Sequence, residues 1–153
     1  MKDDGAAELT VEILDEMTPQ IRDVWVSLVP DRRWGIFSHP DWCEAVWGHE
    51  GSTVLTRIVL VRRGGRPVGL LPVWIRRMNR YGLFLRVAEL FGSRRGDYGA
   101  PLIAEDADAT EVLPVLLDAA LAIRGAGGTL IWPHLPDVDG HPEIVEQALR
   151  DRP

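Results

Sequence analysis

Thr56-Arg-Ile-Val-Leu-Val-Arg62 and Pro67-Val-Gly-Leu-Leu-Pro-Val-Trp-Ile75 are two apolar runs separated by Arg63-Gly64-Gly65-Arg66. The two central glycines predict a hairpin, because glycine enters the positive-φ region of primed turns without steric cost. The second run alternates between two apolar sets, which are Val68, Leu70 and Trp74 on one face and Leu71, Val73 and Ile75 on the other. We therefore expect a sheet that is covered on both faces.

The other elements follow from periodicity and from helix start and stop signals. They are a strand at 8–14, helices starting at Thr18-Pro19 and at Ser38 or His39, a strand at 81–91, a short extended pair at 102–103, a helix at 110–124, a strand at 129–132 and a helix at 141–150. The helix at 110–124 has an apolar stripe of Val112, Leu113, Leu116, Leu117, Ala120 and Ile123.

Two details of this pattern make further structural predictions. Trp42, Ala45 and Val46 share one side of the second helix, and we expect this side to face the core, as tryptophan is heavily buried on average. Pro72 lies inside the second strand of the hairpin and cannot donate a ladder hydrogen bond. A bulge or an edge is therefore expected there.

Length and composition indicate one globular domain at 1–153, with 46% hydrophobic and 26% charged residues. No apolar run approaches the roughly 20 residues of a membrane span, and the first residues lack the regions of a signal peptide, so we expect a cytoplasmic protein. Cys43 is the single cysteine, which indicates a small buried hydrophobe. The four scattered histidines predict no metal site.

The net charge of −6 is unevenly distributed. Residues 57–96 hold ten arginines against Glu89 alone, whereas acidic side chains dominate 1–56 and 97–153. Either these arginines pair with the flanking carboxylates or lie solvated along the strands, or they form a surface that attracts the phosphates of a coenzyme or of nucleic acid. Because the whole chain is acidic and carries no nucleic-acid-binding motif, we expect no nucleic acid partner.

The element order matches that of the acyl-CoA-dependent N-acyltransferase (GNAT) fold up to its fifth strand. Phe37-Ser-His-Pro-Asp-Trp42, Val68-Gly-Leu-Leu-Pro-Val73 and Phe91-Gly…Asp97-Tyr98-Gly-Ala-Pro-Leu102 resemble the first half of the CelD-like, FemAB-related acetyltransferases, which are linked to bacterial cellulose and exopolysaccharide synthesis. The resemblance spans about residues 10–149. It implies an α/β (α+β) fold with a mixed, mostly antiparallel sheet and helices on both faces, without the last GNAT strands.

The resemblance also implies an activity and partners. The activity is acyl transfer from acetyl-CoA or another acyl-CoA to an amine or a sugar acceptor. This chain would be an N-terminal, acceptor-side half that is weakly active or inactive alone, and its partner would be the missing C-terminal half or a second copy in a homodimer. The alternative is a non-catalytic interaction module, or a truncated relic, that pairs an open sheet edge with a partner.

The candidate site lies on the loop after the strand predicted at 81–91. There Asp97 would act as a general base or hold an amine, and Tyr98 would donate a proton. Arg94 and Arg95, together with the adjacent Gly96, would bind an anionic group of the coenzyme. Asp97-Tyr98-Gly is alternatively a good turn sequence, which needs no function.

Two further features bear on this site. His134 follows the strand predicted at 129–132. GNAT-like sheets open to the acceptor groove at this place; alternatively, His134 is an ordinary loop residue. Pro101 and an acidic loop separate the glycines of 92–99 from the next helix. Because a pyrophosphate is gripped where glycine amides run directly into a helix, we expect a poor coenzyme cradle here.

Overall fold

A computed structural model describes residues 7–29, 38–50, 54–90, 100–125, 127–132, 135 and 140–152. Its strands are β1 (Leu9–Leu14), β2 (Leu55–Arg63), β3 (Arg66–Arg80), β4 (Leu83–Leu90), β5 (Leu102–Ile103) and β6 (Thr129–Ile131). Its helices are α1 (Pro19–Leu28), α2 (Pro40–Glu50), α3 (Ala109–Arg124) and α4 (His141–Arg150). The predicted α/β class and element order are confirmed.

The strands form one mixed sheet in the order β1-β2-β3-β4-β6, and β5 pairs with β3 beside this path. The pairs from β1 to β4 are antiparallel, as is β5 with β3, whereas β4 and β6 run parallel. The sheet is therefore mostly antiparallel, as predicted. In the described part of the chain α4 follows β6, and no strand comes after it.

The hairpin of β2 and β3 has the predicted turn, with φ of 57° at Gly64 and 84° at Gly65. Val61 is opposite Gly69, but its neighbour Arg62 is opposite Pro67, so Val68 is an extra residue in β3. Such a bulge reorients the side chains that follow it. Val68 consequently packs with the core cluster under α3, and its predicted place beside Leu70 and Trp74 was wrong.

Pro72 is paired with Ile58 of β2 on one side. On the other side β3 pairs with β5 at Gly69 and Leu70 and with β4 from Val73 onward. Pro72 thus lies in the interval between two partner strands, where it has no register partner on that side of β3. The expected irregularity exists, but the bulge itself lies at Val68.

The second hairpin is longer than the sequence pattern indicated. We predicted that β3 ends at Ile75, whereas it continues to Arg80. Tyr81 and Gly82, with φ of 55° and 79°, make the turn into β4. The arginines of this segment mask its strand character, because hydrophobic alternation weakens once the sheet leaves the core.

The two faces of the sheet are covered by different helices, as predicted. α3 covers a cluster that contains Val59, Val61, Leu71, Val73, Ile75, Ala88, Leu90, Val112 and Leu116. α1 and α2 cover a second cluster that contains Ile21, Trp25, Leu28, Cys43, Val46, Ile58, Leu60, Leu70 and Trp74. The six apolar residues predicted for the stripe of α3 are buried. α4 packs on the outside of α3, where Arg152 pairs with Asp118.

Polar contacts cap α1 and join it to the residues just before α2. The Thr18 side chain caps α1 by accepting the N–H of Ile21 at 3.3 Å, and the Trp25 indole N–H donates to the Ser38 carbonyl at 2.9 Å. In α2, Cys43 and Val46 are buried, whereas Ala45 is exposed. The prediction that Ala45 faces the core was wrong, because a residue two positions from Cys43 points about 200° away on a helix.

Among the described residues, no helix combines the length and the apolar character that crossing a membrane requires.

Candidate functional site

The candidate site is the end of the sheet where β4 and β6 finish and α3 begins. β4 and β6 are parallel over three residue pairs, from Val87 with Thr129 to Glu89 with Ile131. Their carboxyl ends therefore point to the same edge of the sheet. α3 connects the two strands, and its amino end lies beside Gly69, near that edge.

The predicted site residues fall outside the described part of the chain. Arg94, Arg95, Gly96, Asp97 and Tyr98 belong to 91–99, and His134 belongs to 133–134. β4 ends at Leu90, and the residue after β6 is Trp132. Because β4 and β6 are parallel, both points lie at the same end of the sheet. The described chain thus stops at the same end of the sheet before each segment, and the roles of these six residues remain predictions.

The amino end of α3 is occupied by a side chain of its own segment. Asp108 accepts the N–H of Thr110 at 2.8 Å and its hydroxyl at 2.7 Å. These hydrogen bonds from Thr110 hold the pKa of the Asp108 carboxyl below its usual value, and Arg63 contributes in the same direction. A carboxylate at this place satisfies a free amide and compensates the helix dipole.

Two ion pairs add further carboxylates at this end of α3. Glu111, in the first turn, pairs with Arg63 of β2. Asp106, in the turn before the helix, pairs with Arg66 at the start of β3, and this hydrogen bond lowers the pKa of the Asp106 carboxyl. Both arginines lie next to the glycine turn of the first hairpin, so the pairs join the hairpin to α3.

This arrangement does not fit the pyrophosphate of a coenzyme. A helix binds a diphosphate through free N–H groups at its amino end, whereas this end already carries Asp108 and Glu111. β5 also lies between 91–99 and α3, so the glycines of that segment do not run directly into the helix. The described residues therefore provide no coenzyme cradle at the amino end of α3.

Glu89 is a buried carboxylate at the junction of β4 and β6 and is not among the predicted site residues. Its side chain is 2% exposed, and Oε2 lies 2.7 Å from Nη2 of Arg76. The signal in the sequence is that Glu89 is the single acid among ten arginines and alternates with apolar residues on its strand. The guanidinium of Arg76 compensates the buried charge of Glu89. Because Arg76 lies on β3 and Glu89 on β4, the primary role of the pair is to connect these two strands.

In the described part of the chain, four arginines of the segment pair with the acidic flanks, as one interpretation of the sequence proposed. These pairs are Arg57 with Asp15 at 3.1 Å, Arg62 with Glu12 at 3.0 Å, Arg63 with Glu111, and Arg66 with Asp106. Arg76 pairs instead with Glu89, inside the segment. Arg77 and Arg86 differ, because neither makes an ion pair with a carboxylate in the described ranges.

The described surface contains three cavities that bear on a binding function. One of about 620 Å³ lies between α3 and α4, and one of about 500 Å³ lies between the end of α1 and the Arg66–Asp106 pair. The third, of about 670 Å³, lies at the other end of β3 and β4. Within the described residues, no group of three or more histidine, cysteine or acidic side chains is placed to hold a metal.

Two solved structures are similar to this chain. The aminoglycoside N-acetyltransferase AAC(6')-Iy, solved in complex with CoA, has a TM-score of 0.57 at 12% identity, over 100% of this chain and 93% of its own. A transcriptional regulator from Bacillus halodurans has a TM-score of 0.52 at 14% identity, over 92% of this chain and 91% of its own. No protein-family model and no curated protein sequence matches the chain.

The chain has a GNAT-like fold. At these identities the similarity establishes the fold alone. Among the described strands, β4 and β6 form the parallel pair of an otherwise antiparallel sheet, and the fold predicted from the sequence is confirmed. The more specific resemblance to CelD-like and FemAB-related proteins rests on the sequence motifs.

Proposed function

We propose that this chain is the acceptor-side unit of an acyl-CoA-dependent acyltransferase and that it is weakly active or inactive alone. The GNAT-like sheet with its parallel β4–β6 junction is the observation that carries this proposal. The acceptor is an amine or a sugar hydroxyl, and the sugar follows from the resemblance of the sequence motifs to CelD-like and FemAB-related proteins.

The occupied amino end of α3 supports the second part of this proposal. Asp108 caps the helix, and Glu111 pairs with Arg63 in its first turn. A pyrophosphate at this place would meet two carboxylates at short range, and like charges disfavour such a complex. The binding of the coenzyme would then come from a separate C-terminal half or from a second copy of this chain.

The proposed acceptor-side residues are those of the segments that follow β4 and β6. Asp97 would accept a proton from the attacking amine or hydroxyl, and Tyr98 would donate one. Arg94 and Arg95, next to Gly96, would hold an anionic group. His134 follows the parallel neighbour strand and would lie on the acceptor side of the same edge.

Isothermal titration calorimetry with acetyl-CoA tests whether the chain is self-sufficient. We expect no saturable heat for the 153-residue chain up to about 1 mM coenzyme, which corresponds to a binding free energy weaker than about −4 kcal/mol. Saturable binding that is lost in Arg94→Ala/Arg95→Ala would overturn this expectation. The matched control is Arg62→Ala/Arg66→Ala, which removes the same charge from two ion-paired positions.

The reading frame beyond Pro153 tests the other part of the proposal. A second GNAT-like half in that frame would supply the proposed partner. Expressing both halves together should then produce acetyl-CoA binding and acyl transfer that Asp97→Asn lowers. If the joined halves bind acetyl-CoA but transfer no acyl group to amines or sugars, the acyltransferase proposal is wrong.

The edges of the sheet favour a second candidate function, an interaction module. β1 and β6 are the outer strands of the sheet path, and each leaves one edge open in the described residues. On β1, Val11 and Ile13 are 43% and 47% exposed, so apolar side chains accompany the open backbone groups. Such an edge can be extended by a strand of another chain.

Light scattering coupled to gel filtration tests this second function. If the chain pairs through β1, its mass should rise with concentration, and Val11→Lys should return it to the monomer because a charge on the edge opposes pairing. Val26→Lys on α1, another exposed apolar residue, is the control. A monomer at every concentration, without complex formation with the second half, would exclude the module.

A further inference from the structure

Arg77 and Arg86 form an unusual cross-strand pair at the far end of the sheet. Arg77 of β3 and Arg86 of β4 are direct partners in the antiparallel register, and both are exposed. Side chains at such positions have Cβ atoms about 4.5–5.5 Å apart, and like charges there destabilise the sheet. Arg62, Arg66 and the adjacent Arg76 have acidic partners, whereas this pair has none among the described residues.

The pair borders a cavity of about 670 Å³. Its lining consists of Leu55, Ile75, Arg76, Arg77, Phe84 and Arg86. Phe84 is 75% exposed and Leu55 is 58% exposed, so the cavity combines uncovered apolar surface with the cations of Arg77 and Arg86. The third arginine, Arg76, is paired with Glu89. Its volume lies within the range of about 300–1,000 Å³ that is usual for small-molecule sites.

The aromatic and cationic side chains lie on one face of the sheet. Phe84 and Arg86 are two residues apart on β4 and therefore point to the same side, which Arg77 shares as the partner of Arg86. Ala88, two residues further, packs in the cluster under α3. The cavity thus lies on the α3 side of the sheet, beyond the end of the apolar core.

This place is distinct from the candidate acyltransferase site. The cavity is formed at the amino end of β4 and the far end of β3, whereas the acyltransferase site is assigned to the carboxyl ends of β4 and β6. A ligand here is therefore independent of the proposed function.

We propose that this cavity binds a small organic phosphate, a phosphate monoester on an aromatic or aliphatic group. Arg77 and Arg86 hold the phosphate oxygens, because guanidinium groups bind phosphate through paired N–H donors. A phosphate monoester carries a charge of about −1.5 to −2 at pH 7, which matches two cations better than a single carboxylate does. Phe84 and Leu55 cover the apolar part of the ligand.

The test uses NMR and calorimetric titrations of the full chain with inorganic phosphate, adenosine 5′-monophosphate and adenosine. Phosphate and the monophosphate should shift the backbone amide signals of Arg77 and Arg86, and the monophosphate should bind more tightly than phosphate alone. Adenosine should bind at least about tenfold more weakly than its monophosphate, because it lacks the charge-assisted hydrogen bonds.

Two variants separate the parts of the site. Arg77→Gln/Arg86→Gln should lower the affinity for the monophosphate by at least about tenfold. Arg62→Gln/Arg66→Gln, with the same loss of charge, should change this affinity by less than about twofold. Phe84→Ala should lower the affinity for the monophosphate and leave the affinity for inorganic phosphate unchanged. Circular dichroism melts check that each variant is folded.

The outcomes decide the proposal. If neither phosphate nor the monophosphate gives saturable binding that depends on Arg77 and Arg86, the proposal is wrong. It is also wrong if the control variant loses as much affinity, because the effect would then come from overall charge. If acetyl-CoA binds and the Arg77/Arg86 variant removes it, the site for a phosphate monoester is supported, while the expectation that the chain does not bind the coenzyme fails.

Discussion

Arg76 and Glu89 form an ion pair across β3 and β4, with Nη2 of the arginine 2.7 Å from Oε2 of the glutamate. Glu89 is opposite Trp74 in the register, so the pair is diagonal, and the same residue is opposite Ile131 of the parallel strand β6. The carboxylate is therefore buried where the antiparallel and parallel parts of the sheet meet. A charge in this position depends on its partner.

Arg76→Met is predicted to destabilise the protein by about 3–5 kcal/mol, because it leaves a buried carboxylate without its guanidinium. Arg76→Met/Glu89→Met removes both charges and should cost clearly less than the single change. Urea denaturation of the four proteins of this double-mutant cycle measures the coupling. Additive effects would show that the pair is not energetically coupled.

Gly69→Ala is predicted to destabilise the protein by about 1–3 kcal/mol through overpacking. A Cβ at Gly69 would lie 2.5 Å from Cγ1 of Val112 and 3.3 Å from Cδ1 of Leu116. Valine in a helix has one strongly preferred rotamer, so it cannot easily move away. Gly69→Ala/Val112→Ala should therefore be more stable than the two single effects predict, and additivity in urea denaturation would contradict the close contact.

The local parts of this fold were predictable from the sequence. The Gly64-Gly65 turn depends on backbone freedom at two residues, and the stripe of α3 depends on helical periodicity alone. The displacement of Val68 was not predictable, because a bulge depends on the register of the partner strand. The extension of β3 to Arg80 escaped detection for a related reason, since its side chains no longer alternate with a core.

The candidate site was predictable to a smaller degree. One of the two interpretations of the sequence was that arginines of 57–96 pair with acidic flanks, but the sequence did not specify the pairs, because partners such as Arg63 and Glu111 are far apart in the chain. The buried pair of Arg76 and Glu89 depends on strand register in the same way. The proposed roles of Asp97 and Tyr98 rest on sequence alone.

Asp108→Ala is predicted to lower the melting temperature at pH 7, because the N-cap hydrogen bond to Thr110 is lost. The pKa of Asp108 is lowered in the folded state, so its stabilisation is present above the unfolded-state value of about 4 and is lost as the pH falls through the lowered value. Circular dichroism melts from pH 7 to 2 should show the difference from wild type shrinking in acid. Asp108→Asn, which keeps a neutral cap, should lose less at pH 7, and a constant difference at all pH values would contradict this account.

Cys43 is predicted to be unreactive in the folded protein. Its side chain is buried between α1, α2 and the sheet, and this burial raises the pKa of the thiol, with Glu44 acting in the same direction. Ellman's reagent at pH 8 should label the unfolded chain at once and the folded chain only at the rate of unfolding. Fast labelling without denaturant would show that α2 opens independently of the core.

Arg86→Gln is predicted to stabilise the protein by about 0.2–1 kcal/mol, because it removes a like charge directly opposite Arg77. The gain should shrink in high salt, which screens exposed charges. Arg66→Gln is the control, since it breaks an ion pair with Asp106 and should give no gain. With a saturating phosphate ester the order should reverse, because ligand binding stabilises the protein that keeps both arginines. Thermal melts with and without adenosine 5′-monophosphate measure this reversal, and an unchanged order would argue against a phosphate site at this pair.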